Sequence, residues 1–119
     1  MAEKPKSRNV ITAYGGGGFR ISGERLEGSI VVLPDRVLPW PVSALDQLTP
    51  AFFEDLIDSI EVLLIGCGAR FDVSPTATHE TMARLGIAVD VMDTGAACRT
   101  YNVLVAEDRR VAAALIAIA

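Results

Sequence analysis

Two short segments of this sequence carry residue types that could bind a small ligand. Gly66, Cys67 and Gly68 follow one apolar run, and Asp93 and Thr94 follow a second. If both runs are parallel strands of one βαβ unit, their carboxyl ends meet at the same rim of a sheet. Glycines after a strand let backbone N–H groups approach an anion. The sequence therefore predicts a rim on which these residues lie together as a candidate ligand site.

The same residues also have structural explanations that need no ligand. A Gly-x-Gly sequence without the third glycine of the dinucleotide fingerprint is a weak signal, and a tight turn after a strand is the favoured explanation. Asp93 precedes a predicted helix, where capping and the helix dipole already favour a carboxylate. Both interpretations stay open at this point.

The familiar signatures of catalysis are missing. The chain contains no Cys-x-x-Cys, Gly-x-Ser-x-Gly or His-Glu-x-x-His motif and no Walker loop. Its single histidine, His79, could pair with Cys67 or Cys98, but no third group is indicated that would orient it. A histidine without a catalytic role is favoured. We therefore predict no catalytic residue, no metal ligands and no cofactor.

Three side chains are candidates for contact with a protein partner. Trp40, the only tryptophan, lies between Pro39 and Pro41, so its segment belongs to an edge and not to a central strand. A rigid aromatic there could anchor a partner, although a ring that covers the core is the favoured alternative. Arg99 and Asn102 share one face of a predicted helix. Their alternative roles are a solvated charge and a backbone hydrogen-bond partner.

A run of four glycines at 15–18 suggests a phosphate loop at first sight. That mechanism needs a strand before the loop, and Lys-Ser or Lys-Thr at a helix N-terminus after it. Here a β-rich run follows instead. A hairpin turn or bulge is the favoured interpretation.

The elements that position these residues follow from patterning. The uninterrupted apolar run at 62–65 predicts a strand covered on both faces, and the run at 87–91 predicts a second strand parallel to it. A helix at 75–85 joins them, with Ser74 as its N-cap and Gly86 at its left-handed end. This unit places the candidate rim at the carboxyl ends of its strands.

The other elements are predicted from β-rich runs, from turn residues and from a Thr-Pro pair that resembles a helix start. Two or three antiparallel strands should form in the N-terminal part of the chain. The predicted ranges are strands at 9–14, 19–21, 30–33 and 111–118, and helices at 50–59 and 95–107.

Composition narrows the functional classes. The 119 residues, 50% of them hydrophobic, suit one domain at 9–119 after a mobile tail at 1–8. A net charge of -4 argues against nucleic-acid binding. No apolar run reaches membrane-spanning length, and the start has neither a secretory nor a transit-type segment. The two cysteines are expected to be reduced and unbridged in a cytoplasmic protein. The absence of a transit-type start suits a bacterial protein. The apolar composition leaves room for an oligomer.

Several segments together resemble one family. They are Gly18 to Gly23, Gly28 to Ile30, Pro39-Trp40, Leu64 to Gly68, Met92 to Thr94, Ala97 to Leu104 and Glu107 to Val111. In order and spacing they resemble the Mth-type small α/β domain over nearly the whole chain after the tail. The resemblance implies a three-layer α/β fold, with a mixed central β-sheet, crossover helices and a small N-terminal β layer.

The resemblance also bears on function. The family includes bacterial proteins of unassigned function and relatives of a mitochondrial assembly factor for respiratory complex I. It supplies no catalytic residue. It implies a non-catalytic protein-interaction or assembly factor, with subunits of a respiratory complex as possible partners. The alternatives are a small-molecule or anion-binding module at the rim of Gly66, Gly68 and Asp93, and an enzyme of unknown type.

Overall fold

The structure, a computed structural model, describes residues 8–70 and 75–119. The strands are β1 (Ile11–Gly15), β2 (Gly18–Ile21), β3 (Glu24–Glu27), β4 (Ile30–Leu33), β5 (Arg36–Pro39), β6 (Val62–Gly66), β7 (Ala88–Met92) and β8 (Val111–Leu115). The α-helices are α1 (Pro75–Met82) and α2 (Thr94–Ala106). Short 3-10 helices cover Leu45–Gln47, Pro50–Phe53, Ile57–Ser59 and Ala83–Leu85. Residues 1–7 of the predicted tail and the predicted cap Ser74 lie outside the described residues.

The strands form two sheets. A three-stranded antiparallel sheet has the order β1-β2-β3, and a five-stranded sheet has the order β5-β4-β8-β6-β7. Strand β6 is parallel to both of its neighbours, whereas β4 is antiparallel to β5 and β8. The prediction of a mixed central sheet with crossover helices and a small N-terminal β layer is confirmed.

Two hydrophobic clusters cover the two faces of the five-stranded sheet. On one face, the 3-10 segments and the end of α1 contribute Phe53, Leu56 and Met82. On the other face, α2 and the three-stranded sheet contribute Tyr101 and Phe19. The five-stranded sheet is therefore the middle of three layers.

Strand β8 lies at the centre of this sheet. Its five residues, Val-Ala-Ala-Ala-Leu, are each 0% exposed. Alanine suits a central strand whose faces are both covered, since α2 packs directly against it. The predicted closing strand is thus confirmed as a strand, and it closes the fold by inserting between β4 and β6.

The central βαβ unit also agrees with the sequence. Strands β6 and β7 are parallel, and α1 lies between them in the chain. The helix ends one turn earlier than predicted, since Ala83–Leu85 is a 3-10 turn. Gly86 follows with a φ of 72°, the left-handed conformation that a glycine at this position favours.

The predicted α-helix at 50–59 is wrong. The segment contains two 3-10 turns, Pro50–Phe53 and Ile57–Ser59, and Thr49 makes no side-chain cap. Packing explains the difference, because Phe52 and Phe53 are adjacent in sequence and yet both contact the Trp40 ring, at centroid distances of 6.5 and 5.9 Å. Tertiary contacts of this kind override a short helix signal.

Candidate functional site

The residues of the predicted rim do lie together. Gly66 is in register with Met92 across the parallel β6–β7 pair, so both strands end on one side of the sheet. The Thr94 N–H donates to the Gly68 carbonyl at 2.8 Å, and the Gly68 N–H donates to Thr94 Oγ1 at 2.9 Å. The location predicted for this rim is therefore confirmed.

The polar groups of the rim are largely used within the chain. Thr94 is 0% exposed and its hydroxyl also donates to the Ile116 carbonyl at 2.8 Å. Asp93 accepts from the Ala96 N–H at 2.9 Å as the N-cap of α2. The Cys67 N–H donates to the Met92 carbonyl at 2.8 Å. These bonds explain the residues as a cap and a turn, and their role in binding an anion stays a prediction.

Close packing accounts for the first glycine of this rim. A Cβ atom on Gly66 would lie 2.9 Å from Thr94 Cα and 3.0 Å from Thr94 Oγ1. No side chain fits at that distance without moving the helix backbone. Gly66 therefore lets the N-terminus of α2 lie against the end of β6.

The buried thiol does not have the character of a nucleophile. Burial raises the pKa of Cys98 to about 12, so the thiol keeps its proton at neutral pH. Cys98 and the exposed His79 also lie on helices of opposite faces of the five-stranded sheet. Cys67 and Cys98 are both thiols, not bridged to each other. Among the described residues, no group of three or more His, Cys, Asp or Glu side chains could hold a metal ion.

The structure buries Trp40, and its role as a partner contact stays a prediction that this burial disfavours. The side chain is 3% exposed and packs with Phe52 and Phe53 in one hydrophobic cluster. The favoured alternative, a ring that covers the core, is the one observed. Replacing it would disturb the core, so Trp40 cannot serve as a probe of a surface.

Asn102 is a hydrogen-bond partner of the chain's own backbone. Its Nδ2 donates to the Ile11 carbonyl at 2.8 Å, and its Oδ1 accepts from the Ile11 N–H at 2.9 Å. The amide thus satisfies the backbone N–H and C=O groups of Ile11 in the edge strand β1, as a neighbouring strand would. This arrangement differs from the local bond expected of an asparagine within a helix, because Ile11 is 91 positions away.

We expect Asn102→Ala to lower the free energy of unfolding by about 2 kcal/mol, since it removes two hydrogen bonds and leaves partly buried backbone groups without a partner. Urea denaturation measures the loss. Val103→Ala on the same helix, at a residue that is 57% exposed, is the matched control and should change stability by less than about 0.5 kcal/mol. Equal losses in the two variants would contradict the assignment of Asn102 to β1.

Arg99 is exposed, and it lies next to Tyr14, a residue that the sequence interpretation missed. Arg99 Nη1 donates to the Tyr14 hydroxyl at 3.4 Å, a long and weak contact. Among the described residues, Arg99 forms no ion pair. The Tyr14 ring lies over Gly95, where a Cβ atom would be 2.5 Å from the hydroxyl. A glycine in the first turn of a helix is the signal of this close approach.

These residues border a shallow cleft. The cleft has a volume of about 340 Å³ between β1 and α2, and it is lined by Ile11, Thr12, Ala13, Tyr14, Cys98, Arg99 and Asn102. Val103, one turn beyond Arg99, is 57% exposed, and Tyr14 is 41% exposed. We call Tyr14, Arg99 and Val103 the α2–β1 surface. It presents an aromatic ring, a guanidinium and an aliphatic side chain to a partner.

Comparison with known proteins decides the family. The model of a family described as "Protein of unknown function (DUF498/DUF598)" matches residues 11–116. The chain belongs to this family. A solved structure from Bordetella pertussis, described as a Mth938-like domain, is 29% identical and has a TM-score of 0.75, covering 98% of this chain and 90% of that one. Another, described as an outer membrane protein from Bartonella henselae, is 38% identical with a TM-score of 0.80, covering 95% and 98%.

Several relatives of this chain have a name that describes a function. A Danio rerio protein named "NADH dehydrogenase [ubiquinone] 1 alpha subcomplex assembly factor 3" is 38% identical over 98% of this chain and 68% of its own length. The chain spans 60% of the Xenopus tropicalis protein and 59% of the human protein of that name. None of the helices in the described part of this chain has the length and the apolar character that a membrane span requires.

Proposed function

We propose that this family member is a non-catalytic assembly factor that docks onto a protein subunit of respiratory complex I. Its 38% identity to a relative named as a complex I assembly factor carries the proposal. The match extends over 98% of the chain, so it includes the strand β1 and the helix α2 that form the α2–β1 surface. We place this action in the cytoplasm, where unbridged thiols persist.

The α2–β1 surface has the composition of a protein contact. Tyrosine and arginine are the side chains enriched in interface hot spots, and Val103 adds exposed apolar area next to them. The guanidinium has five N–H donors, of which only one makes a hydrogen bond to the described part of the chain, and that bond is long. A carboxylate of a partner could therefore form a bidentate pair with Arg99. We propose that this pair and the Tyr14 ring form the centre of the interface.

The decisive variant is Arg99→Glu, which reverses the charge at an exposed site. We expect it to fold with a melting temperature within about 2 °C of the wild type. In a host whose own gene has been deleted, it should restore less than a tenth of the assembled complex I, because a partner carboxylate would then face a like charge. The amount is measured by native gel with in-gel NADH oxidation.

Arg20→Glu is the matched control. Arg20 is exposed on β2, outside the α2–β1 surface, and the substitution gives the same change of net charge. It should restore complex I to the wild-type level. Full restoration by Arg99→Glu, or equal failure of both variants, would contradict docking through this surface.

A second variant tests the position of Tyr14 without touching a charge. Gly95→Ala should leave the free energy of unfolding unchanged or raise it by up to about 1 kcal/mol, since alanine favours a helix. Its Cβ atom would displace the Tyr14 hydroxyl, which lies 2.5 Å from that position. We expect the amount of assembled complex I, measured in the same assay, to fall to a similar extent in Gly95→Ala and Tyr14→Ala. A wild-type level in both would exclude Tyr14 from the interface.

A further inference from the structure

A second concave surface lies between the two sheets and shares no lining residue with the α2–β1 cleft. It is a groove of about 490 Å³, and its lining includes Leu26 of β3 and Val37 of β5. Strand β3 is an edge of the three-stranded sheet, and β5 is an edge of the five-stranded sheet. The groove is therefore bordered by two strands that are each paired on one side only within the described chain.

Unpaired strand edges favour one kind of ligand. An edge presents a row of N–H and C=O groups, and an extended peptide satisfies them by adding a strand. Natural edges are commonly blocked by prolines or by charges. In β5 the only proline is Pro39, at the end of the strand. The backbone of β3 contains no proline, so its edge keeps all of its donors. Three of its four residues, Glu24, Arg25 and Glu27, are charged, and because two of these are acidic they oppose an acidic strand more than a basic one.

The base of the groove is apolar. Ile21 and Ile30 are 4% and 3% exposed, and Leu26 and Val37 are half-buried above them. An extended segment places every second side chain on the same face. Apolar residues at alternate positions of a ligand would thus meet Leu26 and Val37.

The rim of the groove is mostly acidic. Of its four charged lining residues, Glu24, Glu27 and Asp35 are acidic and Arg36 is basic. Glu27 pairs with Arg25 and Asp35 with Arg36, and all of these side chains are at least 36% exposed. Glu24 forms no ion pair among the described residues. Such exposed pairs are weak, so the rim attracts positive charge.

We propose that this groove binds an extended protein segment in which apolar residues alternate with lysine or arginine. The segment would add to the edge of β3, place its apolar side chains against Leu26 and Val37, and direct its basic side chains to Glu24 and Asp35. Long basic side chains can reach such a rim while their stems cover apolar surface. The site is independent of the proposed docking through Arg99.

The first test locates the site by NMR. The full chain, labelled with 15N, is titrated with the peptide Leu-Lys-Leu-Lys-Leu-Lys, capped at both ends. We expect the largest amide shifts in Glu24–Glu27 and Arg36–Pro39, the residues of β3 and β5. The peptide Leu-Glu-Leu-Glu-Leu-Glu should produce no such shifts. Shifts centred on the α2–β1 surface, shifts spread over the whole chain, or no shifts would each overturn the proposal.

The second test separates the groove from the overall charge of the chain. Glu24→Lys with Asp35→Lys changes the rim, and Asp55→Lys with Asp58→Lys makes the same change of net charge at exposed residues that do not line the groove. We expect the first pair of substitutions to weaken binding of the Leu-Lys peptide at least tenfold, and the second pair to weaken it less than twofold. Equal weakening would show general charge attraction only, and would overturn the proposal.

Two further outcomes are informative. Arg99→Glu should bind the Leu-Lys peptide as the wild type does, so a failure of the proposed docking leaves this inference intact. Sedimentation of the unliganded chain tests whether a second copy of the chain fills the groove instead. A dimer that the rim variants dissociate would mean that a second copy fills the groove, and the proposal of a basic partner segment would be wrong.

Discussion

Thr94→Val is expected to lower the free energy of unfolding by about 3 kcal/mol. Thr94 is 0% exposed, and its hydroxyl donates to the Ile116 carbonyl at 2.8 Å and accepts from the Gly68 N–H at 2.9 Å. Valine has nearly the same shape and makes neither bond, so the buried Ile116 carbonyl and the partly buried Gly68 N–H lose their partner. Each such group costs about 1 to 3 kcal/mol. Urea denaturation at neutral pH measures the loss.

Two variants show whether the hydroxyl is responsible. Thr100→Val makes the same change on the same helix, where the residue is half-buried and its hydroxyl bonds, among the described residues, only to the sulfur of Met92 at 3.6 Å. It should cost less than about 0.5 kcal/mol, since such a bond is weak. Thr94→Ser keeps the hydroxyl and should recover most of the loss. A Thr94→Val variant within about 1 kcal/mol of the wild type would refute the bridging role of this residue.

The part of the fold that the sequence predicts well is the part with local signals. The apolar run of β6 is closed by glycines, and Gly86 ends the following helical segment in a left-handed conformation. These signals act within a few residues, so they hold whatever the rest of the chain does. The common rim then follows from parallel pairing alone. Its location was predictable for that reason.

The errors lie where distant contacts decide. The segment 50–59 has the spacing of an amphipathic helix, but Phe52, Phe53 and Trp40 pack as a cluster that 3-10 turns accommodate. Strand β3 has the sequence Glu-Arg-Leu-Glu, without β-branched residues or aromatics. Its strand conformation comes from pairing with β2, which no local preference indicates.

The candidate site was predictable only in part. Arg99 was identified from its helix face, and it is exposed as docking requires. Asn102 was identified with it, but its amide is committed to Ile11, a contact across 91 positions. Tyr14 was missed because its proximity to Arg99 depends on how β1 packs along α2. The glycine at position 95 was the one local sign of that packing.

Raising the pH above 9 is expected to destabilise the chain steeply, through two buried side chains of α2, Cys98 and Tyr101. Burial, the main cause, raises the pKa of Cys98 from 9.0 to about 12. Burial also raises the pKa of Tyr101 above 10.0, and the negative charge of Asp35 adds to that effect. The folded chain thus holds both protons at a pH where the unfolded chain has lost them.

The direction of the effect follows from that difference. The stability that these two groups contribute is fully present below pH 9, the unfolded pKa of Cys98. It is lost as the pH rises towards 12, the pKa of Cys98 in the folded chain. Each group contributes a slope of at most about 1.4 kcal/mol per pH unit, and the slope of Tyr101 reaches half of its maximum at pH 10.0. Urea denaturation at half-unit steps from pH 8 to 11 measures the combined slope.

Variants assign the slope to its groups. Cys98→Ala should remove most of the fall between pH 9 and 10, because Tyr101 is at most half ionised in the unfolded chain over that range. Tyr101→Phe keeps the ring, loses the hydroxyl bond to the Asn9 carbonyl at 3.0 Å, and should reduce the slope above pH 10 to that of Cys98 alone. Val105→Ala is the control, since it weakens the same hydrophobic cluster without removing an ionisable group. If Val105→Ala flattened the profile as Cys98→Ala does, lost packing would account for the slope, and titration of the buried thiol would not.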